Sequence, residues 1–238
     1  MKKLTLIVLA LILVNFIGYS QVSKDKIIID FTGNYNESYY GSGVITSNSG
    51  GKLKSLSTQL LIGYALGESF VLGVGFEYGH IKDTRNSSII NPESFAIKED
   101  MKLKSSIYAP SLYLRYYKPI FEKFYFNLNL TTSYGFVESE YESYFFSYIP
   151  INSGSLYEIE NSPENAAAYL QTENQSSDYL SFTLQPEIQY FLSRRFGFVL
   201  NFGGFRYTNF DHGVNEWNFS LKPSNWNYGI VFSLGKDK

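Results

Sequence analysis

The sequence predicts an all-β protein: an eight-stranded antiparallel up-and-down transmembrane β-barrel, formed after cleavage of a signal peptide. Three observations point there. Apolar and small or polar residues alternate with period two along eight segments. The 238 residues include 20 Phe, 21 Tyr and two Trp, so aromatic and charged residues each make up 18%, where ordinary domains carry roughly 25% charged residues. Yet the mean hydropathy is only −0.15, so the apolar residues must be sorted to one side rather than spread throughout.

The first twenty residues read as an address. Met1-Lys2-Lys3 is a short basic start, Leu4 to Ile17 is almost unbroken apolar, and Gly18-Tyr19-Ser20 supplies small residues before Gln21. This pattern predicts a signal peptide over residues 1–20 and a barrel domain over residues 21–238. The apolar run is short for a membrane-spanning helix.

The strands follow in order. Segment one alternates Ile27, Ile29, Phe31 and Tyr35 against Ile28, Asp30, Thr32 and Asn34. Segment two sets Leu56, Thr58, Leu60, Ile62, Tyr64 and Leu66 against Ser57, Gln59, Leu61, Gly63 and Ala65. Segment three carries Phe70, Leu72, Val74, Phe76 and Tyr78 on one face, and segment four Tyr108, Pro110, Leu112, Leu114 and Tyr116. Segment five runs from Phe124 to Phe136, and segment six from Leu180 to Tyr190. Segment seven holds Phe198, Leu200 and Phe202, after which a Gly203-Gly204 bulge returns Phe205 and Tyr207 to the same face. Segment eight holds Trp226, Tyr228, Ile230, Phe232 and Leu234. Short turns at 67–69, 118–123 and 193–195 alternate with long connections at 36–53, 81–102, 139–177 and 208–223, the asymmetry expected of a membrane barrel.

The minority face decides what the apolar face meets. A soluble barrel would carry Lys and Glu on its outer surface, and an aromatic-rich β-sandwich is the other soluble alternative. Here the minority face is Gly, Ser, Thr, Asn and Gln, with only Glu77, Arg115 and Glu187 as charges on segments three, four and six. Small polar residues suit the filled lumen of an eight-stranded barrel, so the apolar face is assigned to lipid. Aromatics cluster at the segment ends: Tyr64, Phe70, Tyr78, Tyr108, Tyr116, Phe124, Tyr134, Tyr190, Phe198, Trp226 and Tyr228. They are expected to form two interfacial girdles.

Together these segments, girdles and loop lengths resemble the small OmpA/OmpX-type outer-membrane barrels over nearly all of residues 26–234. The resemblance implies a bacterial outer-membrane location with periplasmic termini, outer-membrane lipids and the barrel-insertion machinery as partners, and a monomer. Such barrels usually end on an aromatic residue that the insertion machinery reads; here Gly235-Lys236-Asp237-Lys238 follow Leu234.

Composition narrows the chemistry. A net charge of −2 with pI about 5.8 argues against a nucleic-acid partner. With no Cys and two His, no thiolate or His-rich metal site is available, and neither a cofactor nor a catalytic motif is expected. Glu77, Arg115, Glu187 and Asp30 are expected to form a structural charge network in the lumen; a proton or ion path is the other reading. His80 lies at the outer end of segment three and His212 in the last loop, with no Ser partner fixed by a motif. Loop 139–177 holds Tyr141, Tyr144, Phe145, Phe146, Tyr148, Tyr157 and Tyr169. It either packs over the barrel mouth or meets an extracellular ligand, with Tyr141 to Tyr148 extending segment five. Within it, Ser162-Pro163-Glu164 reads as the start of a short helix running to Leu170. The leading expectation is a non-enzymatic barrel that anchors surface loops, with a structural or binding role. An OmpW-like channel for small hydrophobic compounds and a lipid A-modifying barrel enzyme are the alternatives.

Overall fold

Alternating side chains need two different surroundings, and a sheet that closes on itself supplies them. The computed structural model describes residues 22–44, 47–91, 95–148 and 166–235. The expected signal peptide over residues 1–20, its expected cleavage site and the expected helix start at Ser162-Pro163 lie outside these residues. Ten strands are present: β1 (Ile27–Val44), β2 (Ser47–Ala65), β3 (Phe70–Asn91), β4 (Phe95–Phe121), β5 (Phe124–Tyr148), β6 (Ala166–Phe191), β7 (Phe196–Asn201), β8 (Gly204–Phe210), β9 (Asn215–Ser220) and β10 (Asn227–Leu234). Each of β1 to β5 pairs antiparallel with the next, β5 pairs with β6, and β6 pairs with both β7 and β8. β7 pairs with β10 and β10 with β1, which closes a ring of eight strand positions.

Two interruptions explain ten strands in eight positions. From Glu187↔Asn201 to Leu184↔Phe205 the β7–β8 chain spends one residue more than β6, so a bulge separates β7 from β8. Gly203 and Gly204 sit there at φ of 82° and 145°, which a side chain would strain. The bulge restores parity: Phe205 and Tyr207 pair with Leu184 and Phe182 on the outward face. The eighth position is split by a 3-10 turn at Pro223–Asn225, and Trp226 ends that turn rather than entering β10.

Three sequence expectations are corrected. The long connections at 36–53, 81–102 and 139–177 are mostly strand, because β1 to β6 continue as paired hairpins well past their amphipathic parts. There polar residues fall on both faces, so period two loses its contrast. The stretch Ala166 to Leu170 is not helical: it lies in β6, paired from Ala166↔Tyr148 to Leu170↔Tyr144. Partner hydrogen bonds from β5 outweigh the weak preference of three alanines for helix. The connection 208–223 is a second hairpin, with β8 and β9 turning at 211–214.

The exposure pattern is inverted relative to a soluble protein. Leu72, Val74, Leu112, Leu130 and Phe198 point outward and are roughly half exposed or more, with Leu112 at 64%. Their neighbours Val71, Ser111, Tyr113, Arg115, Thr131 and Val199 are buried inside the ring. Each outward side chain would gain roughly 1.5–3 kcal/mol on leaving water, and soluble monomers rarely show apolar patches beyond a few hundred Å². Among the described residues no helix is long and apolar enough to cross a membrane.

Candidate functional site

The lumen is the one place where strands of every sector converge, and it is divided into levels. At the end with the short turns the inward side chains are mixed: an apolar floor of Val22, Ile28, Leu61, Val71, Tyr117, Tyr125, Phe191 and Val231 is interleaved with buried Asn127, Gln189 and Ser233, which stand opposite Tyr117, Tyr125 and Ile28. Tyr125 packs edge-on against Tyr117 and Phe191, with ring centroids 6.0 and 5.7 Å apart. Close approach to the wall is allowed by glycine: a Cβ on Gly63 would lie 2.2 Å from the Tyr113 hydroxyl and 2.5 Å from Val71.

Above the floor stands Arg115. Its Nη1 donates to Asp30 Oδ2 and, at 3.0 Å, to the Tyr117 hydroxyl. Its Nε lies 3.1 Å from Glu187 Oε2 as an ion pair. Glu187 Oε1 also accepts from the side-chain amides of Asn129 and Asn201, each at 3.4 Å. Arg115, Asp30 and Glu187 are each 1% exposed, and the guanidinium lies between the Tyr113 and Tyr117 rings, 5.3 and 5.7 Å from their centroids. Floor and charge cluster thus fill adjacent levels of the lumen with buried side chains.

Glu77 belongs to a different level. It does not join Arg115; it pairs with Arg206 of β8, Nη2 to Oε2 at 3.2 Å, while Arg206 Nε donates to Thr183 Oγ1 at 3.3 Å. Sequence reasoning passed over Arg206, although the bulge that turns Phe205 and Tyr207 outward must turn Arg206 inward. This pair lines a polar vestibule of about 390 Å³, with Asn34, Ser57, Asn218 and Asn225. The vestibule has a gap in its wall: beyond Gly33, β1 pairs only with β2, while β9 pairs only with β8. Asn34 bridges the gap, its Nδ2 donating to the carbonyls of Ser224 (3.0 Å) and Trp226.

The expected girdle residues that lie in strands share the outward parity and fall at two levels, while Trp226 ends the 3-10 turn outside the strands. Near the short turns, Phe70 packs on Tyr116 (5.3 Å) and Phe196 on Phe198 (5.6 Å), and register sets Tyr64 beside Leu72 and Tyr190 between Phe124 and Phe198. At the far level Tyr78 packs on Tyr108 (5.4 Å) and Tyr134 on Phe136 (5.0 Å), with Tyr228 in the same register row; Trp226 packs on Phe202 at 5.2 Å.

Beyond the far level the outward face becomes charged. Glu37 meets Lys52 at 2.6 Å and accepts from Tyr35 and Tyr39. Hydrogen bonds from Lys52, Tyr39 and Tyr35, in that order of effect, hold its carboxyl down to about 2. His80 has a Ser partner after all: its Nδ1 lies 3.4 Å from Ser106 Oγ, across the β3–β4 ladder. His212 sits in the β8–β9 turn, stacked on Phe210 at 5.4 Å. Among the described residues no group of three His, Asp or Glu side chains could hold a metal ion. Tyr141 and Tyr144 lie in β5, and the tip of the Tyr-rich connection at 149–165 lies outside the described residues.

The chain matches no protein-family model and no curated protein sequence. Among solved structures it is similar to the outer membrane protein OprG from Pseudomonas aeruginosa, at 13% identity over 92% of this chain and 100% of that one, with a TM-score of 0.37. It is also similar to Ail, the attachment invasion locus protein of Yersinia pestis, at 12% identity over 88% of this chain and 95% of that one, with a TM-score of 0.31. At these scores the fold assignment rests on the closed strand ladder itself.

Proposed function

We propose that the protein is a non-enzymatic outer-membrane barrel of a Gram-negative bacterium that anchors raised surface hairpins, with a structural or binding role. One observation carries this reading: an outward belt of Leu, Ile, Val and Phe, bounded at both levels by aromatics, around a ring whose backbone is paired through the belt. Lipid requires such closure. In this reading the short turns and both termini are periplasmic, outer-membrane lipids and the insertion machinery are the partners, and the hairpin around 139–177 is free for an extracellular ligand. Protease added to intact cells should cut within 139–177 and leave the turn at 66–69 intact; recovery of the chain in a soluble fraction would refute the assignment.

A second reading, a conduit, draws on the gap beside Asn34. The vestibule ends blindly on the Arg115 cluster, so a solute entering it would leave sideways between β1 and the Pro223–Asn225 turn. The Asn, Ser, Glu and Arg lining favours a small polar passenger over a hydrophobic one. Because the bore below stays filled, liposome swelling should be slight for the native chain and for Asn34→Ala alike. Steady single-channel conductance by the native protein would overturn the plugged lumen.

A further inference from the structure

The charged collar above the far girdle is not evenly mixed. Strand register places Glu37, Lys54, Lys82, Lys104 and Glu140 in one continuous row: Glu37↔Lys54, Lys54↔Lys82, Lys82↔Lys104 and Lys104↔Glu140. All five share the outward parity of Leu60, Phe76, Leu112 and Leu128 on their own strands, or of Phe31 on β1. Three lysines therefore stand on adjacent strands, spanning roughly 10 Å at the usual strand spacing. Like charges directly opposite one another destabilise a sheet. The carboxylates at the row's ends relieve only its flanks: Lys54 meets Glu37 at 3.8 Å, and Lys104 meets Glu140 at 2.8 Å and Glu142 at 3.6 Å. Lys82, in the middle and exposed, has no ion pair among the described residues.

The height of the row suggests what relieves it. Along β3, Tyr78 of the far girdle is followed by outward His80 and then Lys82. That step is roughly 13 Å of strand, or less in height once the tilt is counted. A lysine stem can lean back towards the girdle and hold its ammonium at headgroup level. The next row outward adds Lys52 and Lys102 on either side of Thr84, Lys102 pairing with Glu142 at 3.6 Å. Towards the membrane lie His80, Ser106 and, at the β5 edge, Glu138. On the β6–β8 flank the corresponding groups are Asp178 and Asp211, held by the hydroxyls of Tyr134 and Ser177. Among the described residues the positive centre of this collar thus lies on β2 to β4.

We propose that the Lys54–Lys82–Lys104 row is a binding site for the phosphorylated sugar headgroup of an outer-leaflet glycolipid of the lipid A class. This rests on the outer-membrane assignment above. A phosphate lodged across two neighbouring lysines makes charge-assisted hydrogen bonds and removes their mutual repulsion. The acyl chains of the same molecule lie along the apolar belt below, which ties the site to a lipid rather than to a free anion.

The test uses the full chain refolded into phosphatidylcholine vesicles, with or without lipid A, and reads the temperature at which the folded band disappears on an unheated gel. Lipid A should raise that temperature for the native chain. In Lys54→Gln/Lys82→Gln/Lys104→Gln the lipid A content needed for half the rise should increase about a hundredfold, since each lysine near an anionic surface is worth roughly a factor of five. Lys118→Gln, at the opposite, short-turn end of β4, should behave as native. No rise for the native chain, an equal response of the triple variant, or an equal rise with inorganic phosphate in place of lipid A would each overturn the proposal. Failure of the native chain to insert into plain phosphatidylcholine would instead refute the membrane assignment on which it rests.

Discussion

The Arg115 cluster supplies the sharpest prediction. Replacing Arg115 with Ala removes the one cation that faces both Asp30 and Glu187, leaving two carboxylates, each 1% exposed, without a counter-charge. At 3.1 Å the attraction to Glu187 alone is about 5 kcal/mol at an effective dielectric constant of 20. Breaking a buried pair by removing one partner costs about 3–5 kcal/mol, or roughly two to three and a half orders of magnitude in the folding equilibrium. With an m-value near 2 kcal/mol/M, the urea midpoint should fall by about 2 M. The assay is urea unfolding of the refolded protein in vesicles, followed by the loss of the folded band on an unheated gel. The triple change Asp30→Asn/Arg115→Met/Glu187→Gln removes charge and counter-charge together and should recover most of the loss, because uncharged replacement of a buried ion pair is often neutral or stabilising. A native-like midpoint for Arg115→Ala, or a triple variant as weak as the single one, would refute the reasoning.

Three further outcomes follow from other sites. Gly63→Ala pushes a methyl against the Tyr113 hydroxyl and Val71 and should cost about 1–3 kcal/mol in the same unfolding assay; an unchanged midpoint would mean the floor is looser than described. The Glu37 carboxyl should titrate near 2 by carbon NMR. Because its folded value is depressed, its pairing adds stability above the ordinary 4.5 that is lost as pH falls through about 2, and a midpoint at 4.5 would contradict the geometry. His80→Ala should leave the acyl-chain profile of lipid A unchanged in cells carrying the protein, despite the Ser106 contact; a changed profile would make the His80–Ser106 pair an esterase site.

The amphipathic halves of the strands are legible in sequence because lipid and lumen demand opposite side chains. Leu180 to Tyr190 shows it best, with Ser181, Thr183 and Glu187 buried and Leu180, Phe182 and Leu184 exposed. The same strands above the belt are not legible. From Lys98 to Ser106, or from Gln171 to Ser177, both faces carry polar groups, and hydrogen bonding to a neighbour, not pattern, keeps the chain extended. Register is the other hidden quantity. Parity alone places Glu77 and Arg206 inside and Lys54, Lys82 and Lys104 outside. It does not say that Glu77 meets Arg206 across the bore, that Ser106 stands beside His80, or that three lysines share one row. Those facts depend on how far each strand is slid along the next, which the short turns at 66–69 and 121–124 set.

The closing ladder between first and last strands is short. β1 and β10 are joined only from Ile27↔Leu234 to Gly33↔Tyr228, whereas β5 and β6 are joined from Phe124↔Tyr190 to Tyr148↔Ala166. Five long hairpin pairings, β1–β2 through β5–β6, link segments adjacent in the chain and need little loop closure before they are rewarded. The ring-closing contact joins residues about two hundred positions apart and gains little length once made. This difference predicts that in assembly β1 to β6 form a curled sheet first and the seam zips last. A lesion at Gly229, where a Cβ would strike the Phe31 carbonyl at 2.0 Å, would stall the barrel open at that final step rather than prevent the sheet from forming.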